Sequence, residues 1–215
     1  MPVDDSLLHG WFYGNLYVRL VAAIGFSFLF GAIRFRPTAA WLFAAADPRL
    51  IRSFTGVAPV LDAIKGYVPT IIALHGGGPV VGLSAAVAVV AGDCASPLFP
   101  RFRAGNRGVA AAFGALCALN PFVGTIFGTL WVVGAASSNY AAIGSLLAAA
   151  VAFLPLWVFF GAPGAFAGVA IGLIVASRYG DAFVRLRDGR EPEMRRLVVR
   201  QPSVIRLGGQ AVERF

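Results

Sequence analysis

From residue 108 to residue 177 the chain carries no Asp, Glu, Lys or Arg. A soluble domain gives about 25% of its residues to charge, so a stretch this long without any cannot form the surface of one. Continuous runs of Ala, Val, Leu, Ile, Gly and Phe fill it, punctuated by short turn signals. A helix needs about 20 apolar residues to cross a hydrocarbon core of ~30 Å. A membrane β-barrel would instead show segments of about ten residues with alternating polarity, and no such alternation is visible. The fold class that follows is all-α, a polytopic membrane helix bundle. The whole chain agrees, with 58% of its 215 residues hydrophobic and 13% charged.

Apolar segments fall at about residues 15–33, 56–74, 80–95, 140–160 and 164–177, with a longer region at 108–138. Trp11, Phe12, Tyr13 and Tyr17 cluster at the start of the first, as suits a membrane interface. Gly76-Gly77-Gly78-Pro79 and Gly161-Ala162-Pro163 read as turns. As one helix, the 108–138 region would reach about 46 Å at ~1.5 Å per residue, long for a single crossing. Asn120-Pro121 offers a place to break it.

Charge decides how often the chain crosses. The net charge of +8 comes from 17 Arg and the single Lys65. Apart from Arg19, the arginines lie in three segments, 34–52, 101–107 and 178–215, and the intervening turns hold none. Basic segments stay on the cytoplasmic side, so an even number of crossings must separate Arg107 from Arg178. A hairpin at Asn120-Pro121 supplies that parity. The expectation is about seven transmembrane helices, N-terminus out and C-terminus in. Residues 1–178 then form the transmembrane domain and 179–215 a basic cytoplasmic tail. The start, MPVDDSLLHG, lacks the basic region of a cleaved signal peptide, so the first span is expected to remain. In a soluble protein this much positive charge would raise nucleic-acid binding. In a membrane protein it is accounted for by topology and by anionic headgroups, so membrane lipids are the expected partner and nucleic acid is not.

Gly164, Gly168 and Gly172, and likewise Gly124 and Gly128, recur at four-residue spacing. In lipid such small residues let helix backbones approach closely. Cys94, Cys117, His9 and His75 show no metal-ligand spacing, and no nucleophile or phosphate-loop motif is present. Neither a metal nor a cofactor is expected. Two polar features stand out. Asp62 and Lys65, three apart within the second span, form an intramembrane polar pair on one helical face. The loop ASPLFPRFRAGNRGVAAAFG sets Arg101, Arg103 and Arg107 around Gly105 and Gly108, just ahead of a helix. Glycine amides, a helix N-terminus and a planar guanidinium together suit a phosphate.

The motifs of this chain resemble those of the bacterial integral-membrane acyltransferases that use acyl phosphate and glycerol 3-phosphate. Gly92-Asp93 followed by FPRFRAGNRGVAAAFG is similar to that family's GH-x-FP…F-K/R-G-G-K-G-V-A-T. LDAIKGYVP at 61–69 resembles LD-x-x-KG-x-x-P, SSNYAAIGSLLAA the start of a later helix, and SRYGDAFVRLRDGREPEM the motif RH-x-x-N-I-x-R-L with G-x-E. The likeness covers about residues 24–194 in order. It implies seven helices, a place in phospholipid synthesis, and acyl phosphate and glycerol 3-phosphate as substrates. It places Arg178 and Arg185 with Arg101, Arg103, Gly105, Arg107 and Gly108 at the substrate phosphates. No catalytic residue is assigned by it, and Asp93 and Arg107 are the candidates. The family's first motif, GSGN-x-G-x-TN-x-x-R, has no counterpart ahead of VLDAIKG, Asp93 stands for a histidine, and Tyr179 and Ala182 stand for a histidine and an asparagine. These departures predict a reduced or altered activity. They keep open a second reading, a non-catalytic scaffold or partner subunit of a lipid-synthesis enzyme, and a third, a small transporter built on Asp62, Lys65 and Asp93.

Overall fold

The computed structural model describes residues 15–33, 48–95, 107–188, 203–207 and 210–214. Among them run the helices α1 Leu16–Ala32, α2 Pro48–Gly77, α3 Pro79–Ala95, α4 Val109–Leu119, α5 Pro121–Ser138, α6 Ala141–Val151, α7 Phe153–Ser177 and α8 Gly180–Arg187.

The region 108–138 is two helices. Asn120 is extended (φ −160°, ψ 122°) and its Oδ1 accepts the Phe122 amide at 2.9 Å, while Pro121 opens α5, where its missing N–H leaves nothing unsatisfied. α5 then doubles back on α4. A methyl placed on Gly124 would lie 2.2 Å from Cys117 Sγ, and one on Gly128 2.9 Å from the Phe113 ring, pairs centred on the Asn120-Pro121 step. Asn139, left-handed at φ 63°, turns α5 into α6. The Gly134 and Gly144 backbones meet across that turn.

α7 reverses within its own length. Gly161 adopts φ 65°, ψ −149°, a conformation that only glycine enters without strain. Beyond it, Gly164, Gly168 and Gly172 lie on Leu156, Phe153 and Ala149 respectively, so the second half of α7 packs antiparallel on its first half and on α6. The glycine repeats are thus helix contacts. Two boundaries differ from the sequence expectation: the expected span at 140–160 is divided at Ala152 between α6 and α7, and α2 starts at Pro48 rather than near residue 56 and continues through Pro59 and Pro69. Pro48 sits in the first turn, where proline costs no hydrogen bond, and inner prolines are tolerated in bundles of apolar helices.

α3 lies at the centre, against α1, α2, α4 and α7. The buried residues are mostly small (Ala85, Ala86, Ala111, Ala112, Ala115), whereas Val21, Phe122, Val158 and Phe166 stand outward. Small inside and large outside is the arrangement expected of helices packed in lipid. Pro121–Ser138 and the stretch Ala141–Ser177 are long and apolar enough to cross a membrane by length and composition, and Leu16–Ala32, Pro79–Ala95 and Val109–Leu119 are shorter apolar helices. The tail adds a feature to the all-helical expectation: β1 Ser203–Leu207 pairs antiparallel with β2 Gln210–Arg214. Gly208-Gly209 stands between them in the sequence, a pair suited to a two-residue hairpin connection.

Candidate active site

The polar interior is built by glycines that let backbones touch. A methyl on Gly31 would meet the Val89 carbonyl at 2.2 Å, and one on Gly92 the Phe28 carbonyl at 2.1 Å, so α1 and α3 lie in backbone contact beside Asp93. A methyl on Gly66 would meet the Ala111 carbonyl at 1.9 Å, and one on Gly114 the Ala63 carbonyl at 1.8 Å, so α2 and α4 do the same beside Lys65.

Lys65 is fully buried at 0% exposure. Its Nζ donates to the Ile33 carbonyl at the end of α1 (3.0 Å) and to the Asp93 carboxylate on α3, and lies 3.1 Å from Asp62 Oδ1 one turn back. Asp93 is 2% exposed and Asp62 8%. An ammonium in such a place persists only when paired and hydrogen-bonded, and here one side chain ties three helices together.

A second contact set adjoins the first. Cys94, next to Asp93 in α3, faces Gly108: a methyl there would lie 2.6 Å from its Sγ, with Val90 and Val175 also close. Gly108 is the N-cap of α4 at φ 75° and provides no side-chain cap. The partial positive charge of this helix end favours an anion. Arg107 places its guanidinium carbon 4.6 Å over the centre of the Tyr179 ring. Tyr179 follows Arg178 just after α7 and is 2% exposed, part of the same apolar core as Val175 and Ala182. The ends of α3 and α7 and the start of α4 thus share one end of the bundle.

Of the residues singled out from sequence, Asp62, Lys65 and Asp93 meet in the buried cluster. Arg107 and Gly108 adjoin the Arg178-Tyr179 pair through Tyr179 and Val175. Asp93, a candidate for catalysis, bonds Lys65 inside the bundle. Arg185 belongs to α8, and Arg101, Arg103 and Gly105 lie outside the described residues. Sequence reasoning missed the Ile33 carbonyl and the Tyr179 ring as partners. A backbone acceptor and an aromatic face leave no spacing pattern to find.

A family model for Glycerol-3-phosphate acyltransferase matches residues 53–189, more than half the chain. The chain belongs to the glycerol-3-phosphate acyltransferase family. It is 36% identical to the glycerol-3-phosphate acyltransferase of Nitrosomonas europaea over 65% of this chain and 78% of that one. It is 31% identical to that of Burkholderia orbicola (strain MC0-3) over 81% and 92%. Its fold is similar to the crystal structure of PlsY (YgiH), an integral membrane glycerol 3-phosphate acyltransferase, in its glycerol 3-phosphate form. That likeness has a TM-score of 0.72 and 27% identity, covering 84% of this chain and 98% of PlsY. The lysophosphatidic acid form gives a TM-score of 0.70 at 27% identity, with 81% and 94% covered. As a member of this family, the chain is a multi-pass integral membrane protein. The family match takes in Lys65, Asp93, Gly108 and Tyr179, and stops short of the C-terminal hairpin.

Proposed function

We propose that the chain transfers an acyl group from acyl phosphate to glycerol 3-phosphate. The observation that carries this reading is the meeting of Arg107, the start of α4 at Gly108, and Arg178-Tyr179 at one end of the bundle. In the reaction a glycerol 3-phosphate hydroxyl oxygen bonds to the carbonyl carbon of acyl phosphate. The bond from that carbon to the phosphate oxygen breaks, and the hydroxyl proton leaves with inorganic phosphate. Each substrate brings a phosphate, so fixed cationic donors are the main requirement of the site. Donors already oriented toward developing charge stabilise the transition state without rearranging. Arg107 offers a planar donor fork and α4 its N-terminal amides, and Arg178, Arg185, Arg101 and Arg103 are the further cations in this reading.

The acyl chain needs an apolar path. A groove of about 470 Å³ between α1, α3 and the second half of α7 is lined by Ile24, Phe28, Leu83, Val87 and Phe166, and reaches Ala91 near the Asp93–Cys94 end. The arginine distribution supports seven crossings with this end and the 179–215 tail in the cytoplasm and the N-terminus outside. The breaks at Asn120 and Gly161 fit that parity.

Tyr179 and Ala182 at the histidine and asparagine positions, and the absent first motif, support a reduced or altered activity. The same substitutions favour a second reading, a non-catalytic partner of a lipid-synthesis enzyme. The deciding experiment uses the full chain in liposomes with acyl phosphate and labelled glycerol 3-phosphate. We expect labelled monoacyl product with equimolar phosphate release. Product no greater than in protein-free liposomes, with co-purification of a full-motif family member, would instead establish the partner role.

A further inference from the structure

We infer that Tyr179 is a positioning residue, whose ring fixes the plane of the Arg107 guanidinium so that its N–H edges address the phosphate of glycerol 3-phosphate. The inference rests on the acyltransferase reading and names how this chain, with tyrosine where its relatives' motif has histidine, holds its phosphate donor.

Arginine has a long side chain with many rotamers, and ordering it at the moment of binding opposes affinity. A ring beneath the guanidinium removes that cost in advance. The central guanidinium carbon lies over the face of the ring, 4.6 Å from its centroid. The N–H donors lie in the guanidinium plane at its edge, so a guanidinium lying flat on the ring keeps them directed outward. Tyr179 suits this role because it is itself immobilised: 2% exposed, it belongs to the core cluster with Val175 and Ala182. Arg107 is joined to Gly108, which Cys94, Val90 and Val175 confine on the other side. The donor is therefore held through its backbone by α3 and α7 and through its guanidinium by Tyr179. The α4 N-terminus, with glycine at its N-cap, follows directly after it.

The test is glycerol 3-phosphate binding by the full chain in detergent, read as ligand-dependent thermal stabilisation, with KM and kcat for transfer measured alongside. Tyr179→Phe retains the ring and is expected to bind as the wild type does. Tyr179→Leu is expected to weaken binding about tenfold, raising KM for glycerol 3-phosphate more than it lowers kcat. Should the Leu variant not fold, Arg107→Lys provides the second arm. It keeps the charge, loses the plane, and is expected to weaken binding by a similar factor in the wild type and in Tyr179→His. Where Tyr179→Leu folds, the double variant with Arg107→Lys should bind no more weakly than the worse single variant. Wild-type affinity in Tyr179→Leu, or in Arg107→Lys, would overturn the positioning role while leaving the acyltransferase reading intact. No stabilisation of the wild type by glycerol 3-phosphate would overturn the acyltransferase reading and this inference with it.

Discussion

Where the second half of α7 returns along its own first half and α6, Gly164, Gly168 and Gly172 bring the backbones together, and the residues they meet (Leu156, Phe153 and Ala149) are all apolar. Where α1 meets α3 and α2 meets α4, glycines again set the approach through Gly31, Gly92, Gly66 and Gly114. There a fully buried Lys65 is added, bonded to Asp93 and the Ile33 carbonyl and paired with Asp62. Both regions hold helices together, so close approach of small residues suffices for association in lipid. Burying a charge costs several kcal/mol of desolvation before its partners return anything. The charged seam therefore serves position: it ties the end of α1 to the end of α3, whose Cys94 faces Gly108, where the proposed phosphate site begins.

The two seams differ most at Lys65. Lys65→Met leaves Asp93 buried without its ammonium and should destabilise the chain by about 3–5 kcal/mol, measured by thermal or denaturant unfolding in detergent. Wild-type stability in this variant would break the distinction between the seams. Adding Asp93→Leu removes the stranded carboxylate and should recover about 1–4 kcal/mol of the loss. A double variant less stable than Lys65→Met would show that Asp93 does more than answer Lys65. In the uncharged seam, Gly168→Val forces side-chain atoms against the Phe153 backbone, where even a methyl would sit 2.4 Å from its Cα. Overpacking of this kind should cost about 1–3 kcal/mol. A larger loss than in Lys65→Met would reverse the ranking of the two regions. The smallest effect is expected at Gly25 in α1, where an added methyl meets nothing within 4 Å. Gly25→Ala should raise stability by less than about 1 kcal/mol, and a clear loss there would reveal a contact on that face.

Much of the frame was legible in the chain. Asn120-Pro121 and Gly161 mark reversals because one side chain caps a helix and the other residue tolerates positive φ, both local properties. The glycine spacing was readable for the same reason, and Asp62 and Lys65 share a helical face by period alone. The bonds from Lys65 to Asp93 and to Ile33 join residues far apart in sequence, and only the crossing of α1, α2 and α3 brings them together. The start of α2 at Pro48 was also hidden, since proline and arginine in an amphipathic stretch read as loop until the bundle supports the helix. The tail hairpin had only Gly208-Gly209 to announce it. At the site, the arginines and glycines at 101–108 pointed to phosphate, whereas the face of Tyr179 under Arg107 depends on the end of α7 reaching Arg107.

Charge set for chemistry rather than for holding the bundle is tested most directly at Arg107. Arg107→Ala should destabilise the chain less than Lys65→Met, since Arg107 is half-buried where Lys65 is fully buried, yet lose about 100-fold in the rate of acyl transfer to glycerol 3-phosphate. Unchanged transfer, or a collapse in stability matching that of Lys65→Met, would contradict this account.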